Sequence, residues 1–176
     1  MPGIPVLHSK DMINWKIINH VYSALPLQRY LKPQHGQGSW APSIRFHKGK
    51  YYVYFCTPQD GLFMASANNP AEKWELTHVQ DVSHWEDPCP FWDEDGKAYL
   101  LRGRVGAGPA ILHRMSEDGK KLLDNGVLIY EDWEKQPTLE GFKFMEKQDG
   151  YYYFSAPAGG VSTGWQAVFR SKNIYG

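Results

Sequence analysis

Three stretches of this chain are one structural unit written three times. Residues 40–55, 85–101 and 139–154 each read as a short strand, a polar turn closed by a glycine (Gly49, Gly96 or Gly150), and an aromatic-rich strand. The turn glycines are spaced 47 and 54 residues apart. Repeats of about 40 to 50 residues that carry several strands each point to propeller blades. The fold class read from this is all-β, a partial β-propeller. The three units differ in chemistry near their starts, which carry Ala41, Asp87 and Glu140.

The repeat extends past the hairpins. A third strand ending in serine follows each aromatic strand, over residues 61–66, 109–116 and 165–171. Asn68, Asp118 or Asn173 stands two residues beyond each serine, where such side chains bond to nearby backbone and favour turns. Fourth strands are predicted at 74–78 and 126–130. The N-terminus fits the same template, with residues 3–9 as a third strand, Asp11 as the turn residue and 15–18 as a fourth strand. The predicted organisation is the end of a first blade (1–21), a second blade (40–80), a third (85–131) and an incomplete fourth (138–176). Residues 22–39, rich in Pro, Gln and Gly, read as a loop between blades. No helix is predicted. A propeller normally closes its ring and so removes open sheet edges, which this chain cannot do alone. Exposed blade edges and self-association are the expected consequence.

Composition excludes some partners. With 19 basic and 19 acidic residues the formal net charge is zero, so nothing electrostatic points to nucleic acid or an anionic membrane. No apolar run approaches the roughly 20 residues of a membrane-spanning helix. Met1-Pro2-Gly3 leads directly into a strand and no signal peptide is visible, so the compartment is left open. Cys56 and Cys89 read as two free buried thiols. Seven Trp and eleven Tyr favour strands, and they favour stacking on flat apolar ligand faces.

The chemistry is concentrated at the strand starts. Aligned on the turn glycines, Ala41-Pro42 matches Asp87-Pro88, and Glu140-Gly141 sits within a residue of the same level. An acid at such a start costs desolvation unless it is used or paired. Cleaving a glycosidic bond needs an acid to protonate the leaving oxygen and a base to activate water. The bland reading is a turn-starting Asp and a solvated loop Glu. Asp93, Glu94, Asp95 and Asp149 read as turn residues, Glu146 as solvated, and residues 116–119 as a plain turn rather than a calcium loop.

Taken together, the motifs resemble glycoside hydrolase family 43. They are Pro2-Gly-Ile-Pro5 with Asn14-Trp15, Trp40-Ala-Pro42, Trp85-Glu-Asp-Pro88, Phe91-Trp92, Arg104-Val-Gly-Ala-Gly-Pro109, Leu139-Glu-Gly141 and Gly150-Tyr-Tyr-Tyr-Phe154. The segment 155–160 followed by Gly164-Trp165 is similar to the branch holding β-xylosidases and α-L-arabinofuranosidases. The resemblance runs over essentially the whole chain. It implies a five-bladed propeller that inverts configuration, with Glu140 as general acid and Asp87 as the residue modulating its pKa. It places the general base on the first blade, upstream of Met1 and outside this chain, so residues 1–176 alone are expected to be inactive. Phe142 stands where the family usually has Pro, which is expected to loosen the backbone after Glu140.

Trp40 is the candidate for stacking on a pentose ring, against core packing. Arg104 is the candidate for contacting sugar hydroxyls or orienting Glu140, against a solvated or paired arginine. His84 is the one histidine near Asp87. No organic cofactor is implied; a calcium ion occurs in parts of the family, but no ligand set is legible here. The expected activity is cleavage of xylose- or arabinose-containing oligo- and polysaccharides, so the expected partner is a carbohydrate substrate. The competing reading is a non-catalytic carbohydrate-binding propeller fragment. An interaction propeller of the kelch type fits poorly, because acidic strand starts do not suit a merely structural channel.

Overall fold

The structure, a computed structural model, describes residues 3–142 and 144–176, with the backbone alone at Phe144. Met1, Pro2 and Lys143, which fall within stretches named above, lie outside the described residues. Thirteen described strands form four antiparallel sheets in chain order. β1 (Gly3–His8) pairs with β2 (Lys16–Tyr22). β3 (Trp40–His47), β4 (Lys50–Thr57), β5 (Gly61–Ala67) and β6 (Glu75–Gln80) form the second sheet. β7 (Trp85–Trp92), β8 (Ala98–Arg104), β9 (Ala110–Met115) and β10 (Val127–Tyr130) form the third. β11 (Phe144–Gln148), β12 (Tyr151–Ala158) and β13 (Trp165–Ser171) form the last. Within each sheet, neighbours in sequence are neighbours in space, joined by short turns.

The sheets stack face to face, and alternation along each strand builds the cores between them. On β4, Val53 and Phe55 face the first sheet, where they meet Val6 and Val21, with Phe63 of β5 in the same cluster. Tyr52, Tyr54 and Cys56 face the third sheet and meet Met64, Leu100 and Met115. On β8 the alternation continues, with Leu101 turned toward the last sheet and packed among Leu112, Phe142 and Ala156. Strands buried on both faces read as near-continuous apolar runs, which is why β4 and β5 are so rich in aromatic and small apolar residues. Each such Phe or Leu, fully buried, contributes roughly 1.5–3 kcal/mol. The first strands of successive sheets, β3, β7 and β11, lie beside one another.

Polar bonds lock neighbouring sheets together. Ser43 Oγ donates to Pro88 O at 2.5 Å, and Tyr54 OH donates to Gly119 O at 2.7 Å. Asp93 does more than the turn residue expected from sequence. Its backbone closes the hairpin, but its buried carboxylate crosses to the last sheet. There it accepts from Tyr152 OH at 2.6 Å and from Lys147 Nζ at 3.2 Å. Glu94 and then Asp93 push the Lys147 ammonium up, and Asp93, with burial, raises the Tyr152 phenol. Ser9 and Asp11 hold the β1–β2 turn as predicted, Asp11 Oδ1 accepting from Ile13 N and Asn14 N.

Three details depart from expectation, the first being a 3-10 helix over Gln28–Leu31 inside the stretch read as loop. β2 runs to Tyr22 because its pairing with β1 continues as far as Gly3. A four-residue helix, α1 (Gly160–Thr163), bridges β12 and β13 where no helix was predicted; four residues are too few to show periodicity. Cys56 and Cys89 are buried thiols, not bridged in a disulfide.

Candidate active site

The starts of β3 and β7 share one backbone device. Ala41 and Asp87, each followed by proline, take left-handed φ values of 37° and 54°. At both places the register against the next strand shifts, between Trp40 and Ser43 and between Glu86 and Cys89. A bulge bends its strand and re-aims a side chain. Left-handed backbone at a non-glycine residue costs of order 1–3 kcal/mol. At β7 the bulge turns a buried carboxylate, 6% exposed, toward the last sheet. Asp87 Oδ2 accepts a hydrogen bond from Gly141 N at 2.7 Å.

That bond is one of three that fix residues 139–141. Leu139 O accepts from Gly108 N at 3.1 Å, and Glu140 N donates to Pro157 O at 3.1 Å. Gly141 completes the geometry with φ +68°, and a methyl group built on it would lie 3.0 Å from Pro157 Cγ. Glycine is therefore favoured on two counts, conformation and space. The result is an exposed Glu140 side chain on a backbone held from three directions, adjacent to the residue that Asp87 holds.

The Phe142 ring, at the position after Gly141, is fully buried between the third and last sheets and packs edge-on to Phe154. It occupies the space left by Gly103 on β8, where an added methyl group would sit 2.9 Å from its ring.

The structure brings three of the four candidates together. Asp87 reaches the Glu140 segment directly. Arg104, exposed at the end of β8, stands beside Gly108, whose amide holds Leu139. Trp40 stands one sheet earlier, half-buried, its Nε1 donating to Gly36 O at 3.0 Å. His84 contributes backbone: its N donates to Pro58 O and its O accepts from Val105 N, which ties the start of β7 to its neighbours.

Sequence reasoning missed the support behind β7. The Arg102 guanidinium is buried and lies 3.7 Å from the Trp85 ring centroid. Its Nε donates to His113 Nε2 at 3.1 Å. Burial holds Arg102 down to about 10. Burial, followed by the nearby Arg102 charge, lowers His113. His113 is thus a neutral acceptor at Nε2, with Nδ1 toward Asp124 O at 3.4 Å. The available signal was a charge in an apolar strand, Leu100-Leu101-Arg102-Gly103. Among the described residues, no three His, Cys, Asp or Glu side chains gather to hold a metal ion.

The profile of glycosyl hydrolases family 43 matches residues 1–176. The chain is 53% identical over 181 residues to a putative β-xylosidase of Xylanibacter ruminicola, covering 99% of this chain and 33% of that protein. It is 30% identical over 181 residues to a non-reducing end α-L-arabinofuranosidase of Bacteroides ovatus, with 99% and 33% covered. The crystal structure of a xylan β-1,4-xylosidase from Bacillus halodurans superposes with a TM-score of 0.82 at 26% identity, covering 99% of this chain and 36% of that one. The chain spans about a third of the length of the curated relatives named here.

Proposed function

Because the chain belongs to glycosyl hydrolases family 43, we propose that it supplies the acid side of the active site of an inverting glycosidase. The substrates are xylose- or arabinose-containing oligo- and polysaccharides. Glu140 protonates the departing glycosidic oxygen. Asp87 holds the backbone on which that acid stands and modulates its proton. A carboxylate outside residues 1–176 activates water on the opposite face of the sugar, as inversion requires. Arg104 donates to substrate hydroxyls near Glu140, and Trp40 stacks on the sugar ring. The observation that carries this reading is the 2.7 Å bond from Gly141 N to Asp87 Oδ2. It ties a buried acid on one blade to the backbone that carries an exposed acid on the next, an arrangement that a solvated loop Glu has no need of.

The test is Glu140→Gln in the full-length polypeptide. Hydrolysis of pentose disaccharides should fall by roughly 10²- to 10⁴-fold. Unchanged turnover would remove Glu140 from the mechanism. A polypeptide limited to residues 1–176 is expected to be inactive. Retained sugar affinity without turnover in the full-length protein would favour the non-catalytic binding reading. The outer strand β13, where Val168 is exposed, offers an edge for self-association. A monodisperse monomer in sedimentation would count against that.

A further inference from the structure

We propose that Trp133 is a stacking platform for the sugar ring on the leaving-group side of Glu140. The inference rests on the reading of Glu140 as general acid. Trp133 is 52% exposed, high for the largest apolar side chain. Its indole is nevertheless held in place. Nε1 donates to Glu131 Oε1 at 3.1 Å, which satisfies the polar handle and leaves the ring as an apolar surface. A methyl group built on Gly108 would lie 3.9 Å from Trp133 Cη2 and 3.7 Å from Arg104 Cβ. Gly108 is the residue whose amide holds Leu139 O, next to Glu140. The indole and the guanidinium-bearing residue thus flank the glycine that holds the backbone next to the acid.

The loop that carries Trp133 is built rather than slack. Asp132 Oδ1 accepts from Glu134 N at 3.2 Å and from Lys135 N at 2.9 Å. Gln136 N donates to Asp132 O at 2.9 Å, and Gln136 Oε1 accepts from Trp165 Nε1 at 2.9 Å. Pro137 O accepts from Gly159 N at 2.7 Å. A flat ring preset on a pinned loop loses little conformational entropy when a ligand covers it. A pentose ring has an apolar C–H face rimmed by hydroxyls. The indole suits the face, and Arg104, a donor without acceptors, suits the rim. A general acid must reach the bridging oxygen, so the ring beyond that oxygen lies against the acid's own surroundings. Trp133, seven residues before Glu140, lies beside Gly108, whose amide holds the residue next to that acid.

The test compares two substrates of the full-length protein. A pentose disaccharide needs its leaving sugar bound and protonated. The corresponding pentosyl fluoride releases fluoride, which needs neither. Trp133→Ala should lower kcat/KM for the disaccharide by about 5- to 10-fold, as expected for loss of one stacked ring. Turnover of the fluoride should stay within about twofold, and Trp133→Phe should recover most of the disaccharide rate. Equal losses on both substrates would mark a structural role and overturn the proposal. So would no loss on either. Wild-type protein that cleaves neither substrate would sink the acid assignment itself, and this inference with it.

Discussion

The starts of β3 and β7 are the same backbone with different side chains. Both have a left-handed residue before a proline, and both have a shifted register immediately after it. They are even tied together, through Ser43 Oγ and Pro88 O. Yet Ala41 is exposed, whereas Asp87 is buried and spans the gap to Gly141. The bulge is therefore a property of the blade and not of the chemistry. The strained position that β3 and β7 share carries alanine in one and an acid in the other, so the side chain alone makes it an acid site.

The strongest way to break this comparison is to make β7 resemble β3. In the full-length protein, Asp87→Ala should cut glycoside hydrolysis by at least 10²-fold. It should also destabilise by about 1–3 kcal/mol, because Gly141 N loses its acceptor in a part-buried place. Asp87→Asn, which keeps an acceptor, should recover most of the stability and little of the activity. Kinetics and thermal unfolding on the pair separate charge from scaffold; equal activity in Ala and Asn with full stability in both would refute the bond's importance.

Gly141→Ala comes next. The left-handed φ and the approach of Pro157 together should cost about 1–3 kcal/mol. Glu140 should be displaced with it, which a lowered kcat at unchanged fold would reveal. No comparable constraint follows Ala41, where the next residue is proline.

A third prediction concerns the support that β7 has from behind. His113 is depressed below its ordinary value of 6.5 by burial and by Arg102. Below pH 6.5 the unfolded chain takes up a proton that folded His113 refuses. Stability should be full above that pH and should decline as pH falls from 6.5 toward the folded value. Urea unfolding across this range checks the sign, and His113→Gln should flatten this part of the profile.

The smallest effect is expected from the converse exchange. Ala41→Asp places an acid on an exposed bulge whose left-handed backbone Asp tolerates better than Ala. Stability should change by no more than about 0.5 kcal/mol, and activity should scarcely move. A large loss of activity would show that Ala41, like Trp40 beside it, faces the substrate.

The contrast between Asp93 and its neighbours shows what was legible in the chain. Its place in a turn follows from Asp93-Glu94-Asp95-Gly96, a local pattern. Its bonds to Tyr152 and Lys147 cross between sheets and have no local signature. The same holds for Phe142. Judged by its neighbours it stands in a loop after Glu140; the cavity that receives it is made by Gly103, on another strand of another blade.

Strands, turns and their repetition were determined by the sequence itself, because alternation and turn chemistry act over a few residues. The repeat also singled out Asp87 and Glu140, since aligned units expose an acid where another unit has alanine. Only the tertiary structure decided how those two acids are joined. The donor for Asp87 lies 54 residues away on Gly141 and comes within reach only when two blades pack. Packing is set by the summed shapes of buried side chains, and that sum is not written at any one position.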